Sequence, residues 1–148
     1  MLFSEPYLEA GQQVVVMIDN ISITDKTELK GKVIGVKNAS GGSVEANSIE
    51  GATVKTYDDI GMAFLDLTEG LIDAVITDRI IGSWYMYKNA DTFKTASDDF
   101  ATEFGGIAVC KTKPGLLKKI NAGLKTVREE GLLYDLIEKW FINPSNDW

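Results

Sequence analysis

Histidine is absent from the 148 residues, and cysteine occurs once, at Cys110. A Cys/His zinc site is thereby excluded, and a single thiol cannot close an internal disulfide. Cys110 ends the apolar run Ile107-Ala108-Val109-Cys110, so its thiol is expected to pack inside as part of a strand rather than to serve as a nucleophile. Basic residues are also scarce: 15 Lys and Arg stand against 22 Asp and Glu, for a net charge of -7. No Lys/Arg run is dense enough to follow a phosphate backbone, which makes nucleic acid and anionic membrane poor partners. No apolar run reaches the length of a membrane span. Met1 leads directly into Leu2-Phe3-Ser4-Glu5-Pro6-Tyr7, with neither the basic start nor the apolar centre of a secretory signal. The sequence as it stands is therefore expected to open within folded protein.

What is present is ordinary for a globular protein: 45% hydrophobic and 25% charged residues. The length suits one domain, or one lobe with an appendage, and is too short for two full domains. The chain is organised around Lys32-Val33-Ile34-Gly35-Val36-Lys37-Asn38-Ala39-Ser40-Gly41-Gly42-Ser43. It reads as a β-branched strand that stops at a small turn and enters a helix. Such a junction leaves backbone N–H groups unpaired and pointing one way, which suits a carboxylate or phosphate. It also serves as a plain strand-to-helix connection, and it carries no full phosphate-loop or dinucleotide fingerprint.

Gln13-Val14-Val15-Val16-Met17-Ile18 is short and nearly continuous in apolar character, as in a strand covered on both faces. A helical turn is expected before Gly31, a short helix over Ser43 to Ile49, and a strand over Thr53 to Tyr57. Asp58 or Asp59 caps the next helix, whose Ile60, Ala63, Phe64 and Leu67 share one face and whose end is marked by Gly70. Asp73-Ala74-Val75-Ile76-Thr77 forms a third strand that delivers Asp78 at its carboxyl end. Ile80, Ile81, Trp84, Tyr85 and Lys88 follow at helical spacing, then strands near Phe93 to Ala96 and Gly106 to Val109. Two amphipathic helices close the chain, one with a stripe of Leu116, Leu117, Ile120, Leu124 and Val127, the other with Leu132, Leu133, Leu136, Ile137, Trp140 and Phe141. Pro144 onward reads as a polar tail.

Strands alternating with helices imply an α/β fold with a mostly parallel sheet. Right-handed crossovers in a flavodoxin-like order put strand 53–57 on one side of strand 33–37 and strand 73–77 on the other. The Ser40-Gly41 turn and Asp78 then face one crevice, with Lys37 in reach. N–H donors beside a carboxylate match the two charges of a zwitterionic amino acid. Asp78 equally suits a helix cap for Ile80 onward.

Five ordered segments carry a resemblance. Phe3-Ser4-Glu5-Pro6-Tyr7, Gly35 to Gly41, Gly70 to Asp78, Phe104 to Val109 and Leu132 to Phe141 are similar to those of the polar amino-acid solute-binding proteins of ABC importers. The resemblance implies a periplasmic-binding-protein-like (type II) fold: two α/β lobes, joined by crossover strands, that close on one amino acid. Residues 1–11 would be a remnant of the first lobe, and 12–110 the second lobe with its crossover strands near 12–18 and 104–110. Residues 111–148 would be helices that pack on the first lobe in relatives. Most of that first lobe lies outside these residues, along with the arginine that clamps the ligand carboxylate and the aromatics that stack on the side chain.

Matched position by position, Lys37, Ser40 and Gly41 fall at ligand contacts, and Asp78 at the ammonium partner. Ala39 stands where a glycine is usual and Gly41 where many members have threonine; Lys37 with Gly41 is more similar to the glutamine-binding branch. The resemblance implies a polar amino acid as ligand, weakly held by half a cleft, and an ABC permease as partner. It further implies a periplasmic or extracellular membrane-anchored setting for the full-length relative, and no cofactor. Helices left without their usual cover imply a homodimer. Two alternatives share the fold: the ligand-sensing lobe of a receptor, and a dehydratase-like enzyme drawing on Asp78, Asp58, Asp59, Asp98 or Asp99. Against catalysis, there is no histidine and no spaced set of metal ligands, and paired aspartates at helix starts are usually caps.

Overall fold

The computed structural model describes residues 1–142, so the tail from Pro144 lies outside the described residues. In chain order the elements are β1 (Leu2–Phe3), β2 (Leu8–Met17), a 3₁₀ turn (Lys26–Leu29), β3 (Val33–Lys37), α1 (Gly41–Asn47), β4 (Thr53–Tyr57), α2 (Ile60–Thr68), β5 (Ala74–Asp78), α3 (Arg79–Lys88), β6 (Phe93–Thr95), β7 (Phe100–Gly105), β8 (Ala108–Val109), α4 (Pro114–Glu129) and α5 (Leu132–Ile137), with a π-helical turn at Glu138–Ile142. They fall into two compact units: a sheet unit, Gly11–Thr102, and a helical unit made of Met1–Ala10 with the chain from Glu103.

The sheet follows the order β4-β3-β5-β2-β6, and β7 also pairs with β2. β3 runs parallel to β4 on one side and to β5 on the other, with Ile34 opposite Val54 and Ala74. The expected flanking of strand 33–37 is therefore what the sheet contains. β2 joins antiparallel to both β5 and β6, so the sheet is mixed beyond the parallel trio.

Alternation along each strand sorts the core into two layers. Val14, Val16, Ile34, Val36, Ala74 and Ile76 share the cluster that contains Ala46 of α1. Val15 and Val75 face the other way, onto Ile60, Ala63, Phe64 and Leu67 of α2. Phe64 stacks on Tyr85 of α3 at a centroid separation of 3.9 Å and meets Phe93 edge-on at 5.2 Å. Each valine, isoleucine, leucine or phenylalanine side chain buried in this way contributes about 1.5–3 kcal/mol. Asp59 caps α2 by accepting the Gly61 N–H at 2.7 Å, as its position before the apolar repeat implies.

In the helical unit, Leu2 pairs with Val109 and Phe3 with Ala108 in an antiparallel ladder. Ser4 exchanges two hydrogen bonds with Ile107, through its N–H and its hydroxyl. Asn121 of α4 accepts the Glu5 N–H at 3.0 Å, and Arg128 donates to the Pro6 carbonyl at 2.7 Å. The Phe3 to Tyr7 segment is thus tied to α4 and β8. Neither α4 nor α5 contains a buried residue, and Leu116, Leu132 and Leu136 stay more than two-fifths exposed.

Three local expectations need correction. α1 begins at Gly41 rather than Ser43, because Ser40 is extended at φ -105 and its side chain accepts the Ser43 N–H. β2 begins at Leu8 rather than Gln13, because it pairs with β7, which starts at Phe100 rather than near residue 104. Cys110 is exposed rather than packed: β8 ends at Val109, which is the buried residue, and Cys110 stands just past it.

Candidate functional site

β3 and β5 are parallel neighbours in register, so their carboxyl ends emerge at the same sheet edge. The Ser40-Gly41 turn that follows β3 and the Asp78 that ends β5 are brought to that edge together. α1 comes down tightly on it: a Cβ added to Gly42 would stand 2.6 Å from the Ile76 carbonyl oxygen, two residues before Asp78.

Ser40 is the N-cap of α1. Its hydroxyl donates to the Lys37 carbonyl at 2.7 Å and accepts the Ser43 N–H at 3.2 Å. The proton is committed within the turn, which leaves one lone pair on the oxygen. The donors that helix geometry leaves without an intrahelical acceptor are the N–H groups of Gly41 and Gly42 at the start of the first turn. Ala39, just before the cap, is left-handed with φ 53.

Asp78 caps α3, its Oδ1 accepting the Ile80 N–H at 2.8 Å. A carboxylate offers four lone-pair sites, so capping leaves capacity for an ammonium group. Arg79, next in sequence, pairs with Asp99 at 2.8 Å. Lys37 is exposed at the same edge, but the pleat puts it on the α2 face with Val33 and Gly35. Of the four candidates, Ser40, Gly41 and Asp78 are therefore grouped by the fold, and Lys37 approaches from the other face.

The acidic residues considered for catalysis do not converge. Asp59 is held as a cap, Asp99 is in its ion pair, and Asp58 and Asp98 are exposed. Among the described residues no group of three or more acidic or thiol side chains is arranged to hold a metal.

Two residues at this edge were not picked out from the sequence. Gln12 and Gln13 lie within the buried part of β2 and are only 2% and 3% exposed. Gln12 stands opposite Asp78 in the ladder and Gln13 opposite Thr77. The readable signal is an amide pair placed directly before the run Val14-Val15-Val16, where polar side chains are out of character.

The described residues also enclose a cavity of about 320 Å³ in the helical unit, lined by Tyr7, Leu8, Phe104, Arg128, Leu133 and Ile137 among others. Its walls are mainly apolar, and none of the four candidate residues touches it.

Comparison with known proteins places this geometry in context. The L-cystine-binding protein TcyJ of Escherichia coli is 34% identical over 143 residues, which cover 94% of this chain and 53% of that protein. A crystal structure of a mutant of ArgBP from T. maritima superposes with a TM-score of 0.84 at 35% identity, covering 96% of this chain and 62% of that one. An ancestral arginine-binding protein bound to arginine gives a TM-score of 0.82 at 38% identity, with 94% and 63% covered. The chain spans about half the length of the curated relatives it matches. The model of one family matches residues 1–143, nearly the whole chain. On the strength of that match, and of a fold shared with solved amino-acid-binding proteins, the chain belongs to the bacterial extracellular solute-binding proteins, family 3.

Proposed function

We propose that this chain is the amino-acid-binding component of an ABC importer, present as one half of its ligand cleft. Residues 12–110 act as the ligand-binding lobe with its crossover strands, residues 1–11 belong to the other lobe, and residues 111–148 are helices that pack there. The observation that carries the reading is the parallel pairing of β3 with β5, which delivers the Ser40-Gly41 turn and Asp78 to one sheet edge. The Gly41 N–H meets the ligand carboxylate, assisted by Lys37 reaching over the edge, and Asp78 accepts from the ligand ammonium together with the remaining lone pair of the Ser40 oxygen. Relatives named for cystine, glutamine and arginine support a polar amino acid as ligand, a permease as partner, and a periplasmic or extracellular setting.

A charge-assisted hydrogen bond contributes about 1.5–3 kcal/mol, so a half-cleft without the arginine clamp binds roughly one to two orders of magnitude more weakly on that account alone, and lacking the aromatic stack and closure weakens it further. Titration of the ¹⁵N-labelled chain with L-glutamine and L-arginine tests this. The expected result is a set of fast-exchange amide shifts centred on Gly41, Gly42 and Ile80, with affinity in the millimolar range. Micromolar affinity would overturn the half-cleft reading, and shifts centred elsewhere would overturn the site.

The helical unit supports a second element of the proposal, self-association. Its helices contain no buried residue, and Phe3, Phe104 and Tyr134 are each more than three-fifths exposed. Exposed apolar surface of this kind is uncommon on a monomer, and a second copy of the chain covers it. Light scattering should give a dimer mass; a monomer at high concentration that binds no apolar dye would refute it.

A further inference from the structure

Gln12 and Gln13 are consecutive on β2, so their side chains leave opposite faces of the sheet. Each then meets the first turns of the helix on its own face. On the α1 face, a Cβ at Gly42 would lie 3.1 Å from the Gln12 Oε1, so the amide rests against the helix at its second residue. On the α3 face, Gln13 Nε2 donates to the Arg79 carbonyl at 3.2 Å. A Cβ at Gly82 would lie 2.1 Å from that same nitrogen. The two contacts repeat one device: a buried glutamine amide fitted into the space left by a helical glycine. The helices so held are the ones whose N-caps, Ser40 and Asp78, belong to the proposed half-cleft.

We propose that Gln12 and Gln13 are positioning residues, which set the Gly41-Gly42 turn and the Asp78 cap at the separation an amino acid requires. Neither glutamine needs to touch the ligand. Both are nearly excluded from solvent; the Gln13 amide is engaged by the Arg79 carbonyl, and the Gln12 amide holds its helix by close packing against the Gly42 position. A strand that enters the unit at Gly11 and carries both supports makes the spacing of the two helix starts a property of one rigid segment. Apolar side chains at 12 and 13 would fill the same space without directing either helix. The proposal rests on the amino-acid-binding reading of this edge.

The test uses the full 148-residue chain, ¹⁵N-labelled, with Gln12→Met and Gln13→Met, which keep length and volume but remove the amide. Without ligand, Gln12→Met should shift the Gly41 to Ser43 amides and leave Arg79 and Ile80 in place, and Gln13→Met should do the reverse. Each should weaken L-glutamine binding about threefold to tenfold, because a misplaced binding group keeps only part of its contribution. Gly82→Ala displaces the Gln13 amide by another route and should reproduce Gln13→Met. Val15→Ala, on the same strand and buried, is the control: it should lower the melting temperature and leave affinity unchanged. Wild-type affinity in both Met variants overturns the proposal, as does an equal loss in Val15→Ala. Ligand-free shifts that spread over both helices in either variant overturn it too. If the wild-type chain shows no ligand-induced shifts while the helix-specific ligand-free shifts are present, the amino-acid reading fails and the glutamine–helix pairing stands.

Discussion

Replacing Ala39 by glycine should make this protein more stable, the opposite of what most substitutions do. Ala39 has φ 53. For an L-residue with a Cβ, that conformation costs roughly 1–2 kcal/mol, from contact between Cβ and the following carbonyl oxygen. The turn imposes it from both sides: the Asn38 N–H donates to the Tyr57 carbonyl at 2.8 Å, and the Ser40 hydroxyl holds the Lys37 carbonyl at 2.7 Å. Glycine removes the contact but adds about 0.4–1 kcal/mol of unfolded-chain freedom. The net gain is about 0.5–1 kcal/mol, which raises the melting temperature by about 1–4 °C for a chain of this length. Circular dichroism melts give the shift, and urea unfolding with an unchanged m-value shows that the surface exposed on unfolding is the same in both proteins. Gly70→Ala supplies the mirror case: Gly70 has φ 71 with no atom crowding its Cβ position, so only backbone conformation is at stake and stability should fall by about 1 kcal/mol. An Ala39→Gly protein that melts at or below the wild-type temperature, with Gly70→Ala lowered as stated, would refute strain in the turn.

Other outcomes follow from contacts already described or close to them. Asp73 accepts the Val33 N–H at 2.7 Å, joining the start of β5 to that of β3; Asp73→Ala should lower the urea midpoint by the equivalent of about 1–3 kcal/mol. The Asp66 carboxylate accepts from Tyr57 Oη at 2.6 Å and pairs with Lys55, and the hydrogen bond from Lys55 leads in holding its pKa below the ordinary 3.8. A carboxylate depressed in the native state stabilises the fold above its unfolded value, and that contribution is lost as pH falls through the native one. Melts between about pH 5 and 2 should therefore show a steeper acid loss in the wild type than in Asp66→Asn; parallel curves would contradict the network. Leu116→Glu with Leu136→Glu should reduce the mass seen by light scattering, and an unchanged dimer would move self-association away from α4 and α5.

The parallel trio was readable because each strand is a compact β-branched run followed by its own capped helix: Val33 to Lys37 before Ser40, Thr53 to Tyr57 before Asp59, Ala74 to Ile76 before Asp78. Short-range chemistry decided those elements, and with them the shared edge of Ser40, Gly41 and Asp78. The start of β7 was not readable ahead of the crossover strand expected near residue 104, since Phe100 to Glu103 has a mixed composition, includes Ala101 at φ 49, and joins the strand by pairing with β2. The same long-range pairing moved the start of β2 back to Leu8. Cys110 was misplaced because an apolar run was read as a strand to its last residue, whereas pairing with Leu2 and Phe3 stops at Val109. The two glutamines escaped notice for a related reason: their meaning lies in Gly42 and Gly82, 30 and 69 positions away, and no local pattern joins them.

The exposure of Cys110 makes the protein chemically addressable without any engineering. As the sole thiol of the chain, it can receive one maleimide dye or nitroxide at a known location. The Thr112 hydroxyl, 3.1 Å from the sulfur, draws its pKa below the usual thiol value, which favours conjugation near neutral pH. A reporter attached there would sit in the helical unit, outside the segment that holds Ser40, Gly41 and Asp78, so its signal could follow association of copies while leaving the amino-acid contacts unmodified.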